Sequence, residues 1–233
     1  MVYAGTSGWS YATWKPSFYP AKLPSAKFLS YYAARLNTVE VNYTFRAFPS
    51  EKLLAAWVAM SPENFRFAVK AHQSITHIKR LQDADETVQR FVKALEPLRS
   101  AGRLGPILFQ LPPFLKCNAA RLESFLSTLP ENPRAAFEFR HESWFCEEIF
   151  ALMRRANVAL CEAESEDLVT PEVQTADFSY LRLRKPEYSP KVRKQIAARV
   201  AKREPMGDVF VYFKHEDTPD GALYAEELLA AKP

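Results

Sequence analysis

Eight short runs along this chain have the two-residue rhythm of β-strands, and the stretches between them have the rhythm of helices. The runs are 2–6, 38–42, 65–70, 106–110, 135–139, 158–162, 179–183 and 209–214. Strands joined through helices run parallel, because a parallel partner needs a long crossover where an antiparallel one needs only a turn. Ser25 can cap 26–36, where Phe28, Leu29, Tyr32 and Leu36 form a stripe. Ser50 precedes 51–60, and Glu51 suits a helix amino terminus. Residues 84–102 carry Val88, Phe91, Val92, Leu95 and Leu98 and stop at Gly102. Segments 119–129, 144–156, 191–203 and 222–231 supply further helices, whereas 163–178, with Pro171 and scattered acids, reads as loop.

This alternation predicts an α/β fold: a compact (β/α)8 TIM-like barrel, a single domain over 1–233, with the helix after strand six missing. The competing architecture is an open doubly wound sheet, which normally presents a glycine-rich first turn. Six glycines with no G-x-G-x-x-G argue against it and leave no nucleotide-cofactor motif.

The strands share a second feature. In 136-AFEFRH-141, Phe137 and Phe139 lie on one face, and Glu138 and Arg140 on the other. Glu40 and Asn42 oppose Val39 and Val41, while Lys70 and His72 oppose Phe67 and Val69. With helices covering the apolar face, the charged positions converge inside the barrel mouth, where unpaired charge is costly. Barrel chemistry belongs at the carboxyl ends of strands. The residues expected there are Ser7, Trp9, Glu40, Asn42, Thr44, Lys70, His72, Gln110, Glu138, Arg140, His141, Trp144, Glu162, Glu164, Arg182, Arg184, Lys214 and His215.

Glu40, Lys70, Glu138, Arg140 and His141 are the catalytic candidates. Glu138 or Glu40 would act as general acid or base, tuned by Lys70 and Arg140. Trp9, Asn42, His72, Gln110 and Trp144 would line the substrate, while Arg182, Arg184, Lys214 and His215 would hold an anion near strands seven and eight. Part of the ring must plug the barrel as ion pairs, Glu138 with Lys70 or Arg140 foremost. An imine role for Lys70 is disfavoured, because neighbouring carboxylates would keep the amine protonated. His72, His77, His141 and His215 form neither H-x-H nor H-E-x-x-H. A divalent metal is thus not indicated by a motif, and a composite site from His72, His141, Glu138 and Glu40 stays open.

The net charge of +4 permits an anionic ligand without demanding nucleic acid. Cys117, Cys146 and Cys161 are odd in number with no C-x-x-C, as expected of reduced thiols without a disulfide. Met1 leads straight into a strand and no apolar run nears the roughly 20 residues of a membrane span, so the expectation is a cytoplasmic protein. Oligomeric state is not legible.

Several motifs together resemble one family. They are 5-GTSGWSYATWK-15 with Phe18-Tyr19-Pro20, 31-YYA-33, 39-VEVNYTF-45, 67-FAVKAH-72 with 75-ITH-77, 109-FQLPP-113, 138-EFRHESW-144 and 180-YLRLR-184. Over residues 2–231 the chain is similar to the YecE-like proteins, domain of unknown function seventy-two. The resemblance implies a TIM-barrel fold, and the family's recurrent polar residues match Glu40, Asn42, Lys70, Gln110, Glu138, Arg140, His141 and Trp144. The chain departs at Glu164, where many members carry aspartate, at 182-RLRK-185 in place of R-x-H-G, and at 213-FKHED-217 in place of F-N-N. The resemblance implies no activity, and the likeness to sugar isomerases and apurinic-site endonucleases is one of fold.

The leading expectation is an enzyme, of hydrolase, lyase or isomerase type, acting on a small phosphorylated or carboxylate-bearing substrate. The alternatives are a nucleic-acid-binding protein or metal-dependent phosphodiesterase, with Trp9, Tyr11 and Trp14 stacking on bases, and a non-catalytic sensor of a small ligand.

Overall fold

The computed structural model describes residues 1–130, 133–164, 168–214 and 216–231. Its strands are β1 (Val2–Thr6), β2 (Thr38–Val41), β3 (Arg66–Lys70), β4 (Leu104–Gln110), β5 (Ala135–Glu138), β6 (Ala159–Ala163), β7 (Phe178–Leu183) and β8 (Asp208–Phe213). Each falls on one of the expected runs. They form one parallel sheet in the order β1-β8-β7-β6-β5-β4-β3-β2.

Helices α1 (Phe28–Arg35), α2 (Glu51–Ala59), α3 (Asp85–Ala94), α4 (Glu96–Ser100), α5 (Ala119–Leu126), α6 (Glu147–Arg155), α7 (Pro190–Arg203) and α8 (Asp220–Ala230) connect or follow the strands. The described residues between β6 and β7 contain no helix. The single helix expected over 84–102 is broken at Leu95 into α3 and α4. Pro97, in the first turn of α4, has no N–H for an i−4 bond and its ring would collide with the carbonyl of residue 93. Among the described residues, no helix is long and apolar enough to cross a membrane.

The sheet closes between β1 and β2 by an unusual seam. One backbone bridge pairs Ser7 with Glu40, and the Gly8 N–H donates to the Glu40 carbonyl at 2.9 Å. Below it, side chains replace the ladder. The Asn37 amide accepts from the Ala4 N–H and donates to the Val2 carbonyl, both at 2.9 Å. The Tyr32 hydroxyl accepts from the Thr6 N–H at 2.8 Å and donates to the Thr38 carbonyl at 3.0 Å. Gly5 permits this approach, since a Cβ there would stand 2.0 Å from the Thr38 oxygen.

Strand alternation then sorts the interior. Outward residues such as Val39, Val69, Phe109, Phe137 and Leu181 pack beneath the helices. Inward, Tyr3 stacks on Phe210 at 4.6 Å near the amino-terminal end, and Tyr180 and Tyr212 meet the small Ala68, Ala136 and Cys161. Each fully buried large side chain contributes about 1.5–3 kcal/mol. Toward the carboxyl end the filling turns polar. Tyr212 bonds the Thr38 hydroxyl at 2.9 Å, and above it stand Glu40, Gln110, Glu138 and Arg182.

Candidate functional site

Arg182, near the end of β7, reaches across the lumen and joins two carboxylates. Its guanidinium donates to Glu40 Oε1 at 2.6 Å and to Glu138 Oε2 at 2.5 Å. All three side chains are almost wholly enclosed: Arg182 is 3%, Glu40 0% and Glu138 1% exposed. Ser7 and Tyr180 each donate to Glu40 at 2.7 Å. On the other side the Gln110 amide donates to Glu138 Oε1 at 2.9 Å, and its oxygen accepts from Lys70 Nζ at 2.8 Å. One hydrogen-bonded chain therefore crosses the barrel from β1 and β2 to β3.

Two more cations approach Glu138 Oε1 loosely, Arg184 at 3.4 Å and Arg140 at 3.6 Å. These distances exceed ordinary charge-assisted hydrogen bonds. Lys70 lies with its amine 4.0 Å from the centre of the Phe45 ring. His77 meets the same ring edge-on at 4.9 Å and bonds the Thr76 hydroxyl at 2.9 Å. It is carried by a π-helical turn, Ser74–Ile78, followed by left-handed backbone at Arg80, Leu81 and Asp83. Burial of the Leu81 side chain anchors that strained segment.

Charge and burial set the protonation states. Burial alone would raise the Glu138 carboxyl, but Arg182 and Arg184 outweigh it and hold it at about 2. Glu40 is likewise lowered, because Arg182 and the bonds from Tyr180 and Ser7 overcome its desolvation. Lys70 moves the other way. Desolvation, reinforced by the charge of Arg182, brings its amine down to about 8 against the pull of Glu138 and Glu40. Arg184 is lowered by burial and by Arg182, and His77 by burial together with Lys70 and Arg140.

Beside this cluster, a cleft of about 420 Å³ opens among the ends of β5, β6 and β7, with Arg140, His141, Arg184, Glu138, Glu164 and Thr170 in its walls. Glu164 accepts from the Arg184 N–H at 3.0 Å and from the Tyr188 hydroxyl, with Lys185 at 4.0 Å.

The structure brings Glu40, Lys70, Gln110, Glu138, Arg140 and Arg184 together as expected, but it revises several placements. Arg182 is a buried bridge and not a rim group. It, and not Lys70 with Arg140, engages both carboxylates. Glu162 faces outward, paired with Arg203 at 2.5 Å and with Arg199 of α7. Trp144 is fully buried, stacked on Phe139 at 4.6 Å with its indole N–H given to the Leu115 carbonyl at 2.7 Å. It therefore cannot wall a substrate. Trp14 is equally buried, and Tyr11 donates to the Ser7 carbonyl, so neither is an exposed base-stacking platform. Trp9 is half-buried, packed edge-on against Trp57 at 5.2 Å.

Asn42 is half-buried at the start of the short turn Tyr43–Phe45. Nδ1 of His72 bonds Ser74, and Nδ1 of His141 accepts from the Ser143 N–H, so both rings are committed on one side to local turns. The composite His72, His141, Glu138 and Glu40 arrangement is not assembled. Among the described residues, no three His, Cys, Asp or Glu side chains are grouped to hold a metal ion. Lys214 is exposed, with the exposed acids Glu216 and Asp217 close by in sequence; His215 lies outside the described residues. The positive rim is instead on the loops after β2 to β5, where Arg46, Lys79, Arg80, Lys116 and Arg140 are exposed.

Sequence reasoning missed Tyr180 and His77. Tyr180 shares strand parity with Arg182, which was signal enough to find it. His77 comes from a loop whose geometry no periodicity encodes.

Comparison with known proteins fits this architecture. A family model described as "Protein of unknown function DUF72" matches residues 3–232. UPF0759 protein YunF of Bacillus subtilis is 34% identical over 152 residues, which cover 62% of this chain and 52% of that protein. UPF0759 protein YecE of Escherichia coli is 32% identical over 146 residues, covering 62% and 50% respectively. The chain thus spans about half the length of the curated relatives it matches. The crystal structure of a DUF72 family protein from Thermotoga maritima superposes with a TM-score of 0.87 at 28% identity, covering 99% of this chain and 98% of that one. One from Enterococcus faecalis shares the fold, with a TM-score of 0.84 at 19% identity over 100% and 97% of the two chains.

Proposed function

Because this chain belongs to the DUF72 family, whose description carries no activity, we propose a function from the geometry of its mouth: an enzyme that admits a small phosphorylated or carboxylate-bearing substrate. One observation carries the reading. Four cations, Lys70, Arg140, Arg182 and Arg184, surround two carboxylates, Glu40 and Glu138, leaving a surplus of two positive charges. In the adjoining cleft Glu142 and Glu164 stand beside Arg140 and Arg184, Glu164 with Lys185 at 4.0 Å, so the surplus belongs to the enclosed cluster and not to the cleft as a whole. This crowding is unfavourable to the cations themselves, since Arg182 pushes both Lys70 and Arg184 down. An anion between them would relieve it.

Arg140 and Arg184, only loosely engaged by Glu138, would grip the anion. Lys70 exchanges its proton near neutral pH and is better suited to proton transfer than Glu138, which stays ionised. The two carboxylates then serve as fixed charges that position Arg182 and Gln110. Asn42 and His72, near the end of β2 and just beyond β3, would contribute further polar contacts.

Calorimetric titration with inorganic phosphate tests this. Charge-assisted contacts contribute roughly 1.5–3 kcal/mol, so Arg184→Ala should weaken binding by about one to two decades. Lys202→Ala, on the outer face of α7, should leave it unchanged. No binding by the unaltered protein would overturn the reading.

A second reading rests on Tyr43 and Phe114, exposed by 51% and 64% among the basic rim loops, an arrangement suited to single-stranded nucleic acid. Oligonucleotide binding that Tyr43→Ala weakens and Arg184→Ala does not would favour it over the small substrate.

A further inference from the structure

We propose that Lys70 is a nucleophile: its amine adds to the carbonyl carbon of a small aldehyde or ketone whose phosphate or carboxylate is held by Arg140 and Arg184. This deepens the anionic-substrate reading and rests on it.

The first ground is the company the amine keeps. A lysine beside two carboxylates would ordinarily be locked as a salt-bridged ammonium. Here Arg182 has taken both Glu40 and Glu138, and the hydrogen-bond partner of Lys70 is the neutral amide oxygen of Gln110 at 2.8 Å. An amide oxygen stabilises the ammonium far less than a carboxylate does. Losing its proton therefore strands no charged partner. The second ground is its surroundings. Lys70 ends β3 at the carboxyl side of the barrel, half-buried, with the Phe45 ring 4.0 Å from its nitrogen. Such a partly dry setting among Arg182 and Arg184 favours the neutral amine, and the amine at about 8 is already partly free near neutral pH. The third ground is a proton relay. His77 packs on the same Phe45 ring as the Lys70 amine and is lowered by burial together with the charges of Lys70 and Arg140, which makes its imidazole the candidate relay.

The step balances without an outside oxidant or reductant. The Lys70 Nζ lone pair forms a bond to the carbonyl carbon, and the C=O π pair moves to oxygen, which takes up a proton from solvent. The nitrogen gives a proton to the imidazole of His77, leaving a carbinolamine. The imidazolium returns that proton to the hydroxyl, the C–O bond breaks, water departs, and a protonated imine remains. Overall, amine, carbonyl and one proton become iminium and water. The iminium is an electron sink for breaking or forming a bond at the adjacent carbon, and the surplus positive charge holds the anionic end of the substrate.

The test is reductive trapping. The full chain is incubated with dihydroxyacetone phosphate or with pyruvate in the presence of cyanoborohydride, then analysed by intact mass and peptide mapping. The expected result is one adduct, on the peptide bearing Lys70, absent from Lys70→Met and retained in Lys202→Met. Acetone, which lacks the anion, should label at least about tenfold more slowly, the equivalent of one lost charge-assisted contact. Gln110→Glu guards against a Lys70 variant that fails to fold. A carboxylate on the amine would raise its pKa by a unit or more and slow trapping near neutral pH by about tenfold, with recovery at alkaline pH. Labelling spread over surface lysines, or undiminished in Lys70→Met, would overturn the proposal. Retained phosphate binding without any adduct would sink the nucleophile and spare the anion site. Loss of both would sink both.

Discussion

Replacing Arg182 with methionine keeps most of the side-chain volume, strands the ionised Glu40 inside the barrel, and leaves Glu138 with only the looser Arg184 and Arg140. Glu40 and Glu138 have no contact with solvent to speak of, and Arg182 supplies each with a short hydrogen bond. Removing one partner of a buried ion pair costs about 3–5 kcal/mol. Linkage leads to a similar size. Glu138 is held at about 2 where 4.5 is ordinary, which is worth about 3 kcal/mol at neutral pH, shared among Arg182, Arg184 and Gln110. The pH dependence carries the sharper test. In the unaltered protein both carboxyls are depressed, so their contribution is present above the ordinary carboxylate value and is lost as pH falls toward 2. In Arg182→Met, Glu40 keeps only the neutral Tyr180 and Ser7, so burial and the neighbouring Glu138 push its carboxyl above that value and its sign reverses: its contribution is kept in acid and lost as pH rises. Urea unfolding followed by tryptophan fluorescence should find the deficit of the variant largest above about pH 6, still on the order of 1–2 kcal/mol near pH 4, and vanishing only as pH falls toward 2. Adding Glu40→Gln and Glu138→Gln should restore most of the loss. A deficit that is the same at all pH values, or under about 1 kcal/mol at neutrality, would refute the bridge as the main support of this cluster.

Two further expectations concern the seam and the thiols. Asn37→Ala leaves the Ala4 N–H and the Val2 carbonyl without their partners, at a cost of about 2 kcal/mol; the Ala4 amide should exchange hydrogen markedly faster, and unchanged exchange would contradict the side-chain seam. Cys117 and Cys146 are partly exposed and free while Cys161 is buried, so a thiol reagent should label two sites in the native protein and a third only on unfolding. A non-reducing mass two hydrogens short would count against this.

The elements and their alternation were legible in the sequence because they are local. Whether Glu138 and Arg140 share a face follows from backbone geometry two residues apart, and a parallel sheet follows from helices between strands. The cluster at the mouth was legible for the same reason, since Glu40, Lys70, Gln110, Glu138 and Arg184 each sit at a strand end with the right parity. Glu162 marks where this reasoning stops. In 160-LCEAE-164 the alternate residues Cys161 and Ala163 are as acceptable inside a barrel as out, and a one-residue change of parity turns every side chain over. Only the packing of α7, with Arg199 and Arg203, decides that Glu162 faces away from the mouth.

The pairing of charges was beyond the sequence altogether. Arg182 lies 142 positions from Glu40 and 44 from Glu138, and several cations could have claimed those carboxylates. Which one did depends on reach across a closed lumen, and closure itself depends on Asn37, Tyr32 and Gly5 at a seam that no periodicity announces. Residue type and alternation thus determined what chemistry could gather at the mouth. Three-dimensional closure decided which charges pair and which, like Lys70 on the Gln110 amide, hydrogen-bond to a neutral group instead, because Coulombic pairing follows distance in space and not position along the chain.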